Sequence, residues 1–128
     1  MNRRDTSQRR AIRDVFAAED RPLSTEEVLA GAQRHKPGLG IATVYRTIKL
    51  LVDEHWVAPV QLPGQPPRYE RAGKPRHHHF CCRVCGRVYE VPDSVKLTIA
   101  AVPKGFTLDY HDVVLYGRCA GCHARPPS

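Results

Sequence analysis

The chain has 128 residues, a mass of 14.4 kDa and a formal charge of +7, from 20 Lys and Arg against 13 Asp and Glu. This length excludes large enzyme folds such as the eightfold α/β barrel and allows one ordinary domain or two very small ones. No apolar run approaches the ~20 residues of a membrane span, and the start MNRRDTSQRR lacks the apolar core of a secretory signal peptide. We therefore expect a cytoplasmic protein with reduced cysteines, whose basic charge favours contact with polyanions.

The chain begins with two predicted helices. Thr6 is placed to cap the first of them. Ser24-Thr-Glu-Glu27 is a capping box, in which the serine hydroxyl accepts the amide of Glu27 and the Glu27 side chain reaches back. Leu23 and Val28 lie at the positions of a hydrophobic staple around that box. This combination predicts the start of a second helix.

A third helix is predicted over residues 42–54. Its apolar residues follow the spacing of one buried face, whereas Tyr45, Arg46 and Lys49 fall on other faces. These three side chains are available to solvent or to a ligand, so an ordinary solvated face is the alternative to a binding face. The residues that we expect in the core are Val44, Ile48, Leu51 and Val52.

Two short strands, 56–62 and 67–71, are predicted around the turn Pro63–Pro66. Three helices followed by a β-hairpin is the pattern of a winged helix-turn-helix, in which one helix enters the DNA major groove. The basic start of the chain, with Arg3, Arg4, Arg9 and Arg10, is interpreted as an arm that contacts phosphates or the minor groove, or as a solubilising terminus.

The chain changes composition at a Pro- and Gly-containing stretch. Residues 72–76 read as a hinge between a DNA-binding domain, 1–71, and a metal-binding dimerisation domain, 77–128. Domains this small have thin cores, so a metal or a dimer partner is expected to stabilise them. In the second domain we predict a strand at 88–91, a helix at 93–102 and a strand at 105–115, with a disordered tail at 125–128.

Two C-x2-C pairs supply four thiols. Such pairs form a closed tetrahedral all-sulfur site, which is typical of structural Zn²⁺. The alternative is dithiol redox chemistry, but the thioredoxin-like context of that motif is absent. Cys81 precedes the first pair and points to the opposite face of its strand, so we interpret it as a small buried side chain, with an oxidant-reactive thiol as the alternative. The predicted ligands are Cys82, Cys85, Cys119 and Cys122.

Three consecutive histidines form a second candidate site. On a strand, His77 and His79 share a face, and an H-x-H pair with carboxylates such as Glu70 and Glu90 suits a transition ion in mixed N/O coordination. An ion bound there would tie the two domains together across the hinge. The alternative is a solvated histidine cluster. On the opposite face, His78 could form a further site with His111, with weaker support.

In this order and spacing, the motifs resemble those of the ferric uptake regulator (Fur) family of bacterial metal-responsive repressors. The resemblance covers roughly residues 6–122. The segments that match are Thr6-Ser-Gln-Arg9, Leu23-Ser-Thr-Glu-Glu27, Ala42-Thr-Val-Tyr-Arg-Thr47, Arg68-Tyr-Glu70, His77-His-His79, Cys82-x2-Cys85-Gly86, Tyr116-Gly117-x-Cys119 and Cys119-x2-Cys122.

The resemblance implies an α+β protein, with a winged helix-turn-helix domain followed by a small α/β dimerisation domain that holds structural Zn²⁺ on the four cysteines. It implies that Tyr45 and Arg46 contact bases, that Arg4 lies near the minor groove, and that the homodimer reads a palindromic, A/T-rich operator. Glu70, His77, His79 and Glu90 match the regulatory metal ligands. Thr43, Lys49 and Arg9 complete the predicted DNA contacts.

Two departures from the family pattern qualify the metal sites. Pro22 stands where the usual regulatory site has a histidine, which weakens the case for five- or six-coordinate Fe²⁺ and strengthens that for Zn²⁺ or Mn²⁺. At the third site of some members, His78 and His111 match, but about Lys96 occupies the carboxylate position. Peroxide-sensing members carry aspartates where Glu70 and Glu90 stand, so peroxide sensing is ranked low.

The leading hypothesis is a homodimeric, metal-dependent repressor of metal-homeostasis genes, with iron sensing favoured and zinc or manganese sensing left open. The first alternative is a metal-blind DNA-binding regulator with structural zinc only. The second is a small zinc hydrolase, which is disfavoured because the four-cysteine set leaves no open coordination position. We therefore predict that the protein is not an enzyme, takes no small organic substrate, and binds duplex DNA and a second copy of itself.

Overall fold

The computed structural model describes residues 3–92 and 102–124, with side chains from residue 6. The chain divides into two compact units, residues 1–74 (the first unit) and 75–128 (the second unit). Among the described residues, no helix combines the length and the hydropathy of a bilayer span. The helix predicted over 93–102 lies, apart from Val102, outside the described residues, as does the tail at 125–128.

The first unit consists of three helices and a two-stranded antiparallel hairpin, which confirms the predicted order of elements. The hairpin pairs Val57 with Arg71 and Val60 with Arg68. A bridge between Leu23 and Tyr69 attaches the second hairpin strand to the chain that precedes the second helix. The elements are α1 (Arg3–Ala18), α2 (Thr25–Ala32), α3 (Ile41–Asp53), β1 (Val57–Val60) and β2 (Arg68–Arg71).

The prediction for the start of the chain was wrong in one respect. Because α1 already begins at Arg3, Thr6 lies inside the helix and does not cap it. The residues before Thr6 include no helix breaker, so the helix extends past the local capping signal. Arg9 and Arg10 are consequently helical residues and not part of an extended arm.

The capping box of α2 is confirmed. The Ser24 hydroxyl accepts the Glu27 amide at 3.1 Å, and the Glu27 carboxylate accepts the Ser24 amide at 3.0 Å. Leu23 and Val28 are both fully buried, as expected of a hydrophobic staple.

The third helix ends in a Schellman motif. The Trp56 amide donates to the Leu51 carbonyl and the His55 amide to the Val52 carbonyl, both at 2.9 Å. His55 adopts a positive φ of 60°, the left-handed conformation that glycine usually takes at this position. The turn directs the chain from α3 into β1.

The hydrophobic core of the first unit lies between the three helices and the hairpin. Val44, Ile48 and Leu51 are buried and Val52 is partly buried, so the predicted core face of α3 is confirmed. The same packing leaves the opposite face of α3 exposed. The remaining members of the core cluster are Ala11, Ile12, Val15, Phe16, Leu23, Val28, Ala32, Leu39 and Val57.

The second unit contains a three-stranded sheet of β3 (His77–Cys82), β4 (Val88–Pro92) and β5 (Val114–Gly117), in the order β4-β3-β5. The β3–β4 pair is antiparallel and the β3–β5 pair is parallel. The strand predicted over 105–115 is therefore wrong in extent, because regular pairing begins only at Val114. Residues 105–113 belong to no strand, although the His79 amide of β3 donates to the Val113 carbonyl at 3.2 Å, directly before β5 begins.

Candidate metal centres and nucleic-acid interface

Two tight turns present the four clustered thiols. The first follows β3, where the Gly86 amide donates to the Cys82 carbonyl at 3.1 Å and Gly86 takes a φ of 77°. The second follows β5, where the Cys122 amide donates to the Cys119 carbonyl at 2.9 Å. Because β3 and β5 are parallel neighbours in the sheet, the turns that follow them lie at the same end of the sheet.

The four sulfurs have the geometry of a tetrahedral site. The ligand atoms of Cys82, Cys85, Cys119 and Cys122 all lie within 4.8 Å of one another, and the sulfurs of Cys85 and Cys119 are 3.8 Å apart. Zn–S bonds of about 2.3 Å give a sulfur–sulfur edge of about 3.8 Å in a regular tetrahedron. The donor set and its spacing therefore fit Zn²⁺. Cys81 is buried and does not belong to this group.

Backbone amides prepare this cluster for the anionic form of its thiols. The amides of Cys85 and Cys119 each donate to the Cys82 sulfur at 3.4 Å. These hydrogen bonds lower the pKa of Cys82 to about 6. Burial acts in the opposite direction on Cys122 and raises its pKa to about 12. A bound cation would favour the thiolate at both positions.

The histidine pair lies at the start of β3. The rings of His77 and His79 lie on the same face, with centroids 4.9 Å apart. His77 Nδ1 donates to the Pro75 carbonyl at 2.8 Å, so its Nε2 keeps a lone pair for a metal. In the β3–β4 register Glu90 stands opposite His79. The fourth predicted ligand, Glu70, is buried on β2 of the first unit.

The rings of His78 and His111 lie close together, but the hydrogen bonding of His78 disfavours a metal at this pair. Their ring centroids are 5.7 Å apart, and His78 is 1% exposed. The Val113 amide donates to His78 Nδ1 at 3.3 Å, so a neutral His78 ring carries its proton on Nε2. A metal at this pair would require His78 to give up that hydrogen bond. Lys96, at the carboxylate position, lies outside the described residues.

The exposed face of α3 displays the predicted DNA-contacting side chains. Tyr45 is 53% exposed, and Arg46 and Lys49 are also exposed. Arg46 donates to the Thr43 hydroxyl at 3.2 Å, so these two side chains lie together near the start of the helix. Gly40 caps α3 without a side-chain hydrogen bond, which leaves the positive end of the helix dipole open to an anion.

The two arginines predicted to contact DNA from outside α3, Arg4 and Arg9, both belong to α1. Arg9 pairs with Glu54 at 3.2 Å, where the Arg9 side chain is 22% exposed and the Glu54 side chain 49% exposed. This carboxylate reduces the charge that Arg9 can offer to a phosphate. The Arg4 side chain lies outside the described side chains.

Two features were not predicted from the sequence. Two guanidinium groups lie over the Trp56 ring, with Arg13 4.8 Å and Arg71 4.2 Å from the ring centroid. Glu27, beyond its role in the capping box, pairs with Arg21 at 2.7 Å and with Arg68 at 2.8 Å. The capping box indicated that Glu27 lies at the start of a helix. No local pattern indicates its pairing with Arg68, which is 41 positions away in the chain.

Comparison with known proteins points to one protein family. The model of the ferric uptake regulator family matches residues 1–116. The ferric uptake regulation protein of Campylobacter jejuni is 32% identical over 123 residues, covering 92% of this chain and 78% of that protein. The zinc uptake regulation protein of Mycobacterium tuberculosis is 31% identical, covering 94% of this chain and 95% of that protein.

The fold agrees with these sequence matches. The crystal structure of the Vibrio cholerae ferric uptake regulator superposes with a TM-score of 0.65 and 28% identity, covering 88% of each chain. The chain belongs to the ferric uptake regulator family, whose members are metal-responsive, DNA-binding transcription regulators and not enzymes.

Proposed function

We propose that this protein is a homodimeric, metal-dependent repressor of metal-homeostasis genes that binds a palindromic operator. The observation that carries the proposal is that the second unit holds two ligand sets of different chemistry, while the first unit exposes a Tyr-Arg helix face. One set is a closed four-sulfur cluster, and the other is an imidazole pair with open coordination positions. A closed site stabilises the fold, whereas an open N/O site exchanges its ion.

Glu70, His77, His79 and Glu90 hold the regulatory ion in this proposal. Two imidazoles and two carboxylates suit Fe²⁺, Zn²⁺ or Mn²⁺, and the bound ion biases the hinge toward a DNA-competent state. Pro22 is fully buried and offers no ligand atom, so the set is limited to four protein groups or recruits water. Iron sensing is favoured by the ferric uptake regulation proteins among the relatives, and a zinc uptake regulation protein of similar identity keeps zinc sensing as the alternative.

DNA is read by the exposed face of α3. Arg46 can form two hydrogen bonds to guanine, Tyr45 can contact a thymine methyl group, and Lys49 can pair with a phosphate. Thr43 holds Arg46 in place through their hydrogen bond. Arg4 and Arg9 add phosphate or minor-groove contacts from α1. A two-fold dimer places two such helices on successive half-sites.

The test is operator binding across a metal series. A duplex selected from a random library by the zinc-loaded protein is titrated with and without added Fe²⁺, Mn²⁺ or Zn²⁺, under anaerobic conditions for iron. One of these ions should raise DNA affinity by about tenfold or more, which corresponds to a coupling free energy of about 1.4 kcal/mol or more. H77A and H79A should abolish this response, whereas H35A, at an exposed histidine of the first unit, should keep it.

The same experiment separates the alternatives. DNA binding that none of the ions changes would contradict metal sensing and indicate a constitutive regulator with structural zinc only. Absence of binding to any selected duplex would contradict the proposed function altogether.

A further inference from the structure

We infer that Glu27 and Arg68 form a positioning relay that fixes the hairpin turn, residues 61–67, against the DNA-reading helices. The inference rests on the proposed DNA-binding function. In a winged helix-turn-helix the hairpin lies beside the recognition helix, so the orientation of its turn decides which contacts it makes with the duplex. The relay concerns the side chains that set this orientation.

The relay begins at the guanidinium of Arg68, which bonds to two different elements. Its Nη1 donates to Glu27 Oε1 at 2.8 Å, and its Nε donates to Gln65 Oε1 at 3.3 Å. Glu27 belongs to α2, and Gln65 lies in the hairpin turn. One planar side chain therefore joins the helix to the turn. The planar fork of the arginine donates these two bonds from two nitrogens in a fixed relative geometry.

The helix end of the relay is itself held in place. Glu27 also accepts the Ser24 amide at 3.0 Å and an Arg21 guanidinium hydrogen bond at 2.7 Å. The backbone bridge between Leu23 and Tyr69, with N–O distances of 2.8 and 2.9 Å, fixes the base of the hairpin next to these groups. The Glu27 carboxylate that Arg68 contacts is therefore held in position by two further donors, the Ser24 amide and Arg21.

Arg68 is placed to orient the turn and not to contact a phosphate. Its side chain is 14% exposed, and the carboxylate of Glu27 compensates its charge. The hairpin turn, residues 61–67, contains no charged residue. Loss of the relay should therefore weaken DNA binding without changing its salt dependence. Loss of a true phosphate contact lowers the slope of log affinity against log salt by about 1.

The experiment measures the affinity of the zinc-loaded, metal-activated dimer for its selected duplex over a series of salt concentrations. We expect Q65A and R68K to weaken binding by about fivefold, as loss of one or two hydrogen bonds predicts, with an unchanged salt slope. R68K keeps the charge but offers one nitrogen in place of the two, Nη1 and Nε, that donate to Glu27 and Gln65. K49Q is the control for a phosphate contact, and its slope should fall by about 1.

Hydrogen exchange supplies a second readout that needs no DNA. The Gln65 amide donates to the Leu62 carbonyl at 3.3 Å, and its exchange should accelerate in R68K, whereas the amides of β1 and β2 should keep their rates. Q65A removes only the turn end of the relay, so folding is not at risk.

Two results would overturn the inference. Full DNA affinity in both Q65A and R68K would show that the relay does not position the turn. A slope reduced by about 1 in R68Q, which removes the charge, would show that Arg68 contacts a phosphate directly. A wild-type protein that binds no duplex would contradict the proposed function, while the exchange rate of Gln65 would still decide whether the relay fixes the turn.

Discussion

The two units of the chain are stabilised in different ways. All twelve members of the hydrophobic core cluster lie between Ala11 and Val57, in the first unit. In the described part of the second unit, the buried apolar residues are Cys81, Cys82, Val88 and Cys122. Two of these four are predicted zinc ligands. The first unit therefore folds around apolar side chains, and we predict that the second unit depends for its stability on a metal bound by the four cysteines.

The largest effect should come from removing a zinc ligand. C82S should lose the structural ion and unfold the second unit, because structural Zn²⁺ contributes on the order of 10 kcal/mol to the folding of small domains. Hydrogen exchange should show loss of protection in β3–β5 and retention in α1–α3. C81A, which removes the neighbouring thiol outside the cluster, should keep one zinc per chain. Equal protection of β3–β5 in C82S and the wild type would refute metal-dependent folding.

The next largest effect should come from truncating the core of the first unit. F16A removes a fully buried ring that packs edge-on against Trp56, at a centroid distance of 6.1 Å. Its free energy of unfolding should fall by about 3–5 kcal/mol. Urea unfolding followed by the single tryptophan reports on this unit. The zinc content should stay unchanged, and a parallel loss of zinc would show that the two units do not fold separately.

Acidification should weaken the first unit through Glu27. Burial acts to raise the pKa of Glu27, but the Ser24 amide and the charges of Arg21 and Arg68 outweigh it and lower the pKa below its ordinary value. Because the folded-state pKa is depressed, the stabilisation is complete above the unfolded pKa of ~4.3 and is lost as pH falls through the folded pKa.

The pH prediction is measured by urea unfolding between about pH 6 and about pH 3, with tryptophan fluorescence as the signal. The wild type should lose more free energy of unfolding over this range than E27Q, which cannot titrate at this position. E26Q, at the exposed neighbouring glutamate, is the matched control and should follow the wild type. Parallel curves for E27Q and the wild type would contradict the role assigned to Glu27.

The smallest effect should be a gain of stability. His55 holds a left-handed conformation with φ of 60° at the end of α3, where glycine has no Cβ penalty. H55G should raise the free energy of unfolding by about 0.5–1 kcal/mol in thermal or urea unfolding. H55A, which keeps the Cβ, should give no such gain. A gain of equal size in H55A would trace the effect to the imidazole and not to the backbone.

The sequence predicted what depends on local or repeating patterns. The capping box at Ser24, the buried face of α3 and each C-x2-C turn follow from short spacings. The convergence of the two cysteine pairs joins residues 34 positions apart and was predicted from the four thiols that a tetrahedral Zn²⁺ site requires. The start of α1 was not predicted, because a helix can extend past a capping residue when nothing breaks it. The strand at 105–115 was overextended because alternating residues form a strand only where a partner strand is present.

The interactions that could not be predicted join residues far apart in the chain. Arg68 and Glu27 are 41 positions apart, and Arg71 reaches the Trp56 ring only because the hairpin brings them together. The tautomer of His78 likewise depends on the amide of Val113 from a different strand region. Such contacts depend on how the helices and strands are arranged in the folded chain, and the spacing of neighbouring residues does not predict that arrangement.

The most direct test of two distinct metal sites is a count of ions per chain by native mass spectrometry, before and after mild chelation. The wild type should hold two ions, one of which resists the chelator. H79A should keep only the resistant ion, and C82S should lose it. A single ion under every condition in the wild type, or two ions in H79A, would contradict the division into a structural and an exchangeable site.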